Sequence, residues 1–297
     1  MNSGAHGAHA RKIILVVHPS KVEAYEYANS LAENLLARGF RVFSNSKRHI
    51  AGTIEVSGNL ENVAGSELAV VLGGDGTILR AAEIVRNKGI PILGINLGNV
   101  GFLAEIAKPS INEVVEAIEN HRYHGEARLS LAYKVIRNGE VATTGWALNE
   151  VTIERSHAQM VELFVNIDSR PLSRWGCDGV ICATPTGSTA YAFSAGGPVV
   201  WPEVNAFILL PLAAHALFSR PMVIAPKSEI GIDVISREAL LSADGMRKFA
   251  LIQGDRVILS KDAIDVSIVH LEEATFTDRL VAKFRLPIEG WRSDEEG

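Results

Sequence analysis

The sequence predicts an α/β domain built on a parallel sheet, followed by a mainly β domain. In the first part of the chain, continuous apolar runs alternate with helix-like segments, which is typical of parallel strands covered by helices on both faces. In the later part, apolar and polar residues alternate singly, which indicates half-buried strands. We place the α/β domain at 11–125, the mainly β domain at 126–275, and at 276–297 a C-terminal segment that could pack back on the first domain.

The elements of the first domain follow from its apolar runs. Helices are predicted at Lys21 to Arg38, which Gly39 would end, at Ile78 to Lys88, and at Ile111 to Glu119 after a potential cap at Ser110. Strands are predicted at Ile13–Val17, Phe40–Phe43, Leu68–Leu72 and Ile90–Ile95. Because these strands should be parallel, we expect the loops that follow them to share one edge of the sheet.

The elements of the second domain are predicted from turn and alternation signals. Asn138-Gly139 marks a hairpin between Leu131–Arg137 and Glu140–Thr143. The segment Val161 to Ile167 alternates apolar and polar residues for most of its length. The same pattern continues in three later segments, Ile230–Ile235, Arg256–Leu259 and Ile264–Val269.

Composition limits the classes of partner. The formal net charge is -5 and no long Lys/Arg run occurs, which argues against nucleic acid as the main partner. A nucleotide remains compatible, because small phosphates are usually held by backbone amides and a few local cations. The most apolar stretch, Ala206 to Phe218, is too short to span a bilayer. We therefore expect no membrane partner and a cytoplasmic location.

Cysteine and histidine positions do not indicate a metal centre. Cys177 and Cys182 are too few for a disulfide framework and have no nearby ligands for zinc, so we interpret them as buried thiols. The pairs His121-x-x-His124 and His6-x-x-His9 have no obvious third ligand and are expected at the surface. No metal ligand is assigned among the protein side chains.

The loop Gly73-Gly74-Asp75-Gly76-Thr77 lies between a predicted strand and a predicted helix. Its glycines allow close approach of the backbone to a ligand, and the helix N-terminus favours a phosphate. We expect Thr77 to cap the helix and Arg80 to lie in its first turn. A carboxylate repels phosphate, so Asp75 should cap the turn, organise a metal or accept a proton; an Asp-Gly turn bonded to local amides is the alternative. The spacing matches neither a Walker A loop nor the Rossmann fingerprint.

A second glycine-containing loop, Gly94 to Gly101, follows the next predicted strand. It should lie at the same edge of the sheet as Gly73 to Thr77, where open α/β sheets bind ligands. Taken without its neighbour, it could equally be an ordinary loop.

The segment Thr184 to Pro198 combines hydroxyls, small residues, two glycine elements and two aromatic rings. Hydroxyls and free amides suit phosphate and ribose, and Tyr191 could contact a nucleobase or nicotinamide face. A plain Ser/Thr loop is the alternative.

Three polar residues stand beside apolar segments. Asn149-Glu150 falls inside Trp146 to Ile153, where an amide and a carboxylate need partners that either ribose hydroxyls or protein groups could supply. Asp178, just before the apolar run that starts at Gly179, has the same two interpretations.

Taken together, these residues resemble the NAD kinase family. The resemblance covers nearly everything from Ile13 to about Pro287 and includes four stretches, Gly73–Thr77, Asn149-Glu150, Asp178-Gly179 and Thr184–Pro198. It continues more weakly through His215, Ser219-Arg220-Pro221 and Asp244-Gly245. Lipid kinases share the first motif, and phosphofructokinases carry a close variant, whereas the long Thr/Ser/Gly run is more specific.

The resemblance implies transfer of a terminal phosphoryl group from ATP or polyphosphate to the 2′-hydroxyl of the adenosine ribose of NAD. It implies that Asp75 is the catalytic proton acceptor, with Gly76 and Arg80 in the same site. Gly73, Gly74 and Thr77 would cradle the donor phosphates with Mg²⁺. The remaining NAD-binding residues would be Asn149, Glu150, Asp178, Thr189, Ala190, Tyr191 and Ser194. The family also commonly forms dimers or tetramers, which implies a homo-oligomer.

Some positions differ from the family pattern. Gly176 stands where many relatives carry Arg, Gln159 where some carry His, and Met246 where some carry Gln after Asp-Gly. These differences concern the fine contacts to NAD. Two other functions remain open: a lipid kinase with the same glycine loop, and a non-catalytic sensor of NAD or NADP. The hydroxyl-rich 184–198 segment argues against the first, and Asp75 argues against the second.

Overall fold

The first part of the chain folds into alternating strands and helices, as its apolar runs predict. The computed structural model describes residues 10–56, 60–98, 101–271 and 274–288. The elements are β1 (Lys12–Val17), α1 (Val22–Ala37), β2 (Arg41–Asn45), β3 (Ile54–Glu55), β4 (Leu68–Leu72), α2 (Asp75–Val85), β5 (Ile92–Ile95), α3 (Ile111–Glu119) and β6 (His124–Arg128). Ser110 caps α3 through a reciprocal capping box with Glu113, which confirms the predicted start of that helix.

The second part is mainly β. Its elements are β7 (Leu131–Arg137), β8 (Glu140–Ala147), β9 (Glu150–Glu154), β10 (Val161–Ile167), β11 (Arg170–Cys177), β12 (Gly179–Ala183), α4 (Tyr191–Ser194), β13 (Phe207–Leu212), β14 (Met222–Ile224), β15 (Ile230–Val234), β16 (Glu238–Ala243), β17 (Arg247–Ile252) and β18 (Arg256–Lys261). Two further elements end the described chain, β19 (Val266–His270) and α5 (Phe276–Phe284). The predicted hairpin at Asn138-Gly139 is confirmed, since β7 and β8 pair across it.

The described residues divide into two units, one containing those up to Ala127 and those from Ser267 onward, the other containing Arg128–Val266. The first unit holds a seven-stranded sheet in the order β3-β2-β1-β4-β5-β19-β6. Strands β4 and β5 are parallel neighbours, and Leu72 at the end of β4 pairs with Ile95 at the end of β5. The loops that follow these strands therefore begin at the same edge of the sheet.

Strand β19 differs from the sequence prediction. Alternation places Ile264 to Val269 in the β-rich second domain, but Val266–His270 is inserted in the sheet of the first unit, parallel to β5. Four of its five residues are buried, as a central strand requires. Local alternation shows that a strand forms but not which sheet it joins. The helix α5 that follows also belongs to the first unit.

The second unit contains two antiparallel sheets that share one core. Their strand orders are β11-β10-β15-β18-β7-β8 and β14-β13-β12-β9-β16-β17. Trp175 and Phe207 are the largest fully buried side chains of this core. Cys177 and Cys182 are buried free thiols, as predicted. Within the described residues, no helix is long and apolar enough to cross a membrane.

Candidate active site

In the first unit, the glycine-rich loop joins β4 directly to α2. The helix begins at Asp75, with Gly74 as its N-cap in an extended conformation and without a side-chain cap. The predictions that Thr77 caps the helix and that Arg80 lies in its first turn are therefore wrong. Glycine is a poor helix former, so the sequence pattern alone places the start of the helix about one turn too late.

The backbone at Gly73 is closely surrounded. A Cβ atom there would collide with the hydroxyl of Thr77, and it would lie 3.3 Å from the Cβ of His18. The Gly73 N–H donates to the Ile95 carbonyl at 3.0 Å, which ties the loop to the end of β5. The first N–H groups of an α-helix have no partner within the helix, so this end of α2 can accept an anion.

The Asp75 carboxylate is held by the loop that follows β5. Its Oδ2 accepts a hydrogen bond from the Phe102 N–H at 3.1 Å, and its Oδ1 accepts one from the Leu103 N–H at 3.2 Å. A Cβ atom at Gly101 would lie 2.8 Å from Asp75 Cγ. The two loops therefore meet at one edge of the sheet, as predicted from their order, although Asn99 and Val100 lie outside the described residues.

Basic side chains donate hydrogen bonds to both loops. Lys21 Nζ donates to the Leu97 carbonyl at 3.0 Å, and Arg80 Nε donates to the Gly76 carbonyl at 3.2 Å. Burial lowers the pKa of His18, and the positive charges of Lys21 and Arg80 lower it further. This edge of the sheet thus combines helix N–H groups with cations, an arrangement that favours a bound phosphate. It also holds the Asp75 carboxylate, whose presence phosphate binding does not explain.

In the second unit, Glu150 is a buried carboxyl group whose pKa is raised. It begins β9 and is 7% exposed. Among the described residues, its buried Oε2 has no hydrogen-bond partner. Burial raises the pKa of Glu150 to about 8, and the nearby charge of Asp244 contributes, against a hydrogen bond from the Tyr191 backbone. Glu150 and Tyr191 both line a cavity of about 220 Å³.

Asp244 fixes the backbone from which Asn149 and Glu150 project. It accepts hydrogen bonds from the N–H groups of Leu148 at 3.0 Å and Asn149 at 2.7 Å, and it pairs with Arg247 at 2.6 Å. Sequence analysis gives Asp244 only as part of a weaker similarity. Nothing local to Asp244 indicates this role, because its partners lie about a hundred residues earlier in the chain.

Several hydroxyls of the 184–198 segment serve the fold. Thr184 Oγ1 donates to the Leu148 carbonyl at 2.5 Å and accepts from the Gly187 N–H at 3.1 Å. Ser188 Oγ donates to the Val200 carbonyl at 3.2 Å and accepts the Val200 N–H at 3.0 Å. These contacts hold the segment in place and leave other members accessible, namely Thr189, Ala190, Tyr191 and Ser194.

Asp178 and the residues that differ from the family pattern lie nearer the surface. Asp178 Oδ1 pairs with Arg155 Nε at 2.9 Å, and its side chain is 43% exposed. Asp178 therefore has a protein partner, which is one of the two interpretations that the sequence allowed; the other is a ribose hydroxyl. Gly176 lies near the end of β11, Gln159 is exposed, and Met246 is 39% exposed in the turn between β16 and β17.

The loop of the first unit has the chemistry of a phosphoryl-transfer enzyme: glycines and a helix N-terminus for phosphate, cations, and a positioned carboxylate. Comparisons with known proteins agree with this class. The ATP-NAD kinase N-terminal domain model matches residues 13–123, and the ATP-NAD kinase C-terminal domain model matches residues 148–271. NAD kinase 2 of Streptomyces coelicolor is 44% identical over 291 residues, covering 95% of this chain and 97% of that protein.

The chain belongs to the NAD kinase family, and its reaction is the phosphorylation of NAD. Two solved structures resemble it. Yeast NADH kinase complexed with NADH has a TM-score of 0.83 at 22% identity, with 97% of this chain and 90% of that chain covered, which shows the shared fold. An NAD kinase from Archaeoglobus fulgidus in complex with ATP has a TM-score of 0.69 at 26% identity, with 93% and 99% covered.

Proposed function

We propose that Asp75 is the catalytic proton acceptor for transfer of a terminal phosphoryl group to the 2′-hydroxyl of the adenosine ribose of NAD. One observation carries this proposal: a carboxylate, oriented by the amides of Phe102 and Leu103, stands at a helix N-terminus that otherwise suits phosphate. Phosphoryl transfer depends mainly on positioning and charge neutralisation, and a fixed carboxylate can orient the attacking hydroxyl and take its proton.

For the donor, we propose that Gly73, Gly74 and Thr77 cradle the phosphates of ATP. The absence of a side chain at Gly73 keeps the backbone close to Thr77, whose buried hydroxyl has no hydrogen-bond partner among the described residues. The ATP in the Archaeoglobus structure supports ATP as donor. Inorganic polyphosphate presents the same phosphate chemistry, so turnover with each donor at equal phosphate concentration decides between them.

Mg²⁺ fits this arrangement as a companion of the donor. Among the described residues, no group of three or more His, Cys, Asp or Glu is placed to hold a metal. Mg²⁺ commonly takes its ligands from substrate phosphates, waters and one or two protein oxygens, so such a group is not required. We propose that the phosphates held at Gly73, Gly74 and Thr77 hold the ion, which would supply neutralising charge.

For NAD, we propose that Asn149, Glu150 and Asp178 bind hydroxyl and amine groups, while Thr189, Ala190, Tyr191 and Ser194 contact the adenosine end. Gly76 and Arg80 would border the acceptor ribose. The partner-free Oε2 of Glu150 and the cavity that it lines with Tyr191 support a polar ligand in the second unit. Tyr191 is 40% exposed, so a base could stack on its ring.

The direct test incubates purified protein with NAD, ATP and Mg²⁺ and measures NADP with an NADP-specific dehydrogenase. We expect NADP from the wild type, and a kcat for Asp75→Asn that is lower by about 10²- to 10⁴-fold, because general acid–base catalysis contributes about that much. Asp265→Asn, an exposed aspartate of the second unit, is the matched control and should keep wild-type kcat. Near-wild-type turnover by Asp75→Asn would overturn the assigned role.

We also propose a cytoplasmic homodimer or homotetramer. Large apolar side chains are exposed on the second unit, including Trp201, Val204 and Phe218, and a subunit contact would cover such side chains. The two buried free thiols are compatible with a reducing compartment. Light scattering after size-exclusion chromatography should give a mass of two or four chains, and a mass of one chain would exclude the proposed assembly.

A further inference from the structure

Arg279, on helix α5 of the first unit, is an unusually buried cation. Only 2% of its surface is exposed to solvent. One guanidinium nitrogen, Nη1, donates to the Ala104 carbonyl, and Nη2 lies 2.9 Å from His270 Nδ1. Burial of a charged group is costly unless polar partners surround it, so the Ala104 carbonyl, which accepts from the guanidinium, contributes to keeping α5 in place.

The Ala104 carbonyl is next to the groups that orient Asp75. Phe102 and Leu103 donate their N–H groups to the Asp75 carboxylate, and Ala104 is the following residue. The next N–H, that of Glu105, donates to the Gly94 carbonyl at 2.8 Å. The segment from Phe102 to Glu105 is therefore held at both ends. Its first two N–H groups bond to Asp75, and its last two residues are held by Arg279 and by the β5 backbone.

The aromatic contacts between Phe102 and helix α5 are less directional. The Phe102 ring lies 5.9 Å from that of Phe276 and 5.8 Å from that of Phe284, both on α5. Aromatic contacts of this kind stabilise docking but tolerate small shifts of the backbone. The hydrogen bond from Arg279 to the Ala104 carbonyl depends on direction as well as distance. It is therefore the contact that can fix the orientation of the Phe102 and Leu103 peptide groups.

We propose that Arg279 is a positioning residue for phosphoryl transfer. By holding the Ala104 carbonyl, it fixes the Phe102 and Leu103 amides that orient the Asp75 carboxylate. The inference rests on the proposed role of Asp75 and assigns Arg279 no contact with either substrate.

The kinetic test compares Arg279→Met, Arg279→Lys and wild type. The methionine variant keeps much of the side-chain volume but no donor, so kcat should fall by about tenfold or more, since a displacement of about 1 Å can cost that much. KM for NAD should stay within about twofold, because no substrate contact is lost. Lysine keeps the charge and can donate to Ala104, so it should restore part of kcat.

Two controls separate positioning from simple stabilisation. Asp278→Ala removes the capping carboxylate of the same helix, whose Oδ2 accepts hydrogen bonds from the Thr275 N–H and hydroxyl. It should lower the melting temperature by a few degrees and leave kcat unchanged. In the Asp75→Asn background, Arg279→Met should cause little further loss of kcat, because the group that it positions is already gone.

An equal loss of kcat from Arg279→Met in both backgrounds, or an equal loss from Asp278→Ala, would overturn the inference. So would wild-type kcat in a folded Arg279→Met protein. If Arg279→Met does not fold, Arg279→Lys in the two backgrounds decides in the same way. Near-wild-type turnover by Asp75→Asn would instead contradict the role of Asp75 itself, which distinguishes the two failures.

Discussion

Replacing Glu150 with glutamine should stabilise the free protein while weakening its binding of NAD. Burial raises the pKa of Glu150 from its ordinary 4.5 to about 8. The folded state therefore keeps a proton that the unfolded state releases, and stability falls as pH rises from 4.5 to about 8. At 1.36 kcal/mol for each pH unit between the two values, the destabilisation reaches roughly 5 kcal/mol at pH 8.5 and roughly 3 kcal/mol at pH 7.

Urea unfolding at pH 5 and pH 8.5 measures this effect. Trp146, Trp175 and Trp201 all lie in the second unit, and Trp175 is fully buried, so fluorescence mainly reports the unit that contains Glu150. The gain in the free energy of unfolding for Glu150→Gln should be small at pH 5 and reach several kcal/mol at pH 8.5. Glu203→Gln, at an exposed site of the same unit, should change stability by less than about 0.5 kcal/mol at either pH.

The Glu150→Gln variant also tests the binding of NAD. Glutamine should raise KM for NAD by about tenfold or more, because the carboxyl group that we propose to bind ribose hydroxyls is replaced by an amide with different donors and acceptors. A stability gain that is absent at pH 8.5, or equal at both pH values, would refute the account of Glu150 as a buried carboxyl group with a raised pKa. A stability gain with unchanged KM would leave that account standing and remove Glu150 from the NAD site.

Gly101→Ala should lower kcat by about tenfold or more, because its Cβ would displace Asp75; Gly125→Ala, whose Cβ would meet only Val269 Cγ1 at 3.7 Å, should keep kcat. Asp244→Ala should cost about 3 kcal/mol in urea unfolding, and Asp244→Asn less, because asparagine tolerates the φ of 51° and can still accept amide hydrogen bonds. Burial lowers the pKa of His270 and Arg279 opposes protonation, but hydrogen bonds to Glu105 and Glu126 raise that pKa above 6.5 overall. A raised pKa means that the protonated imidazole stabilises the folded state. That contribution is complete below pH 6.5 and is lost as pH rises through the raised pKa of His270. The melting temperature of wild type should therefore fall over that range relative to His270→Gln.

Local physical chemistry explains which parts of the fold are predictable. Leu68–Leu72 is predicted with the bounds that the structure shows, because a continuous apolar run between turn signals has few other stable states. The Ser110 cap and the Asn138-Gly139 hairpin likewise depend on residues within a few positions of each other. The start of α2 is missed because the signal there is a glycine, which a propensity argument places outside the helix.

Long-range contacts account for what sequence reasoning misses. Asp75, Glu150 and Tyr191 stand out in the sequence as unusual residue types for their surroundings. Asp244 and Arg279 do not, since each acts on backbone groups that lie far away in the chain. A single sequence shows that an acid or a cation is present but not which distant peptide group it holds.

Binding and chemistry should separate between the two units, because the carboxylates of Asp75 and Glu150 differ in what surrounds them. Asp75 is held by two amides and would act on the hydroxyl only as the reaction proceeds, so Asp75→Asn should lower kcat with little change in KM for NAD. Glu150 has a buried oxygen without a partner among the described residues, so it should gain a partner when NAD binds, and Glu150→Gln should raise KM with little change in kcat. Titration calorimetry with NAD alone provides the check, with affinity retained by Asp75→Asn and weakened in Glu150→Gln. The reverse pattern would mean that the carboxylate of the first unit binds NAD and that of the second unit takes part in the chemistry.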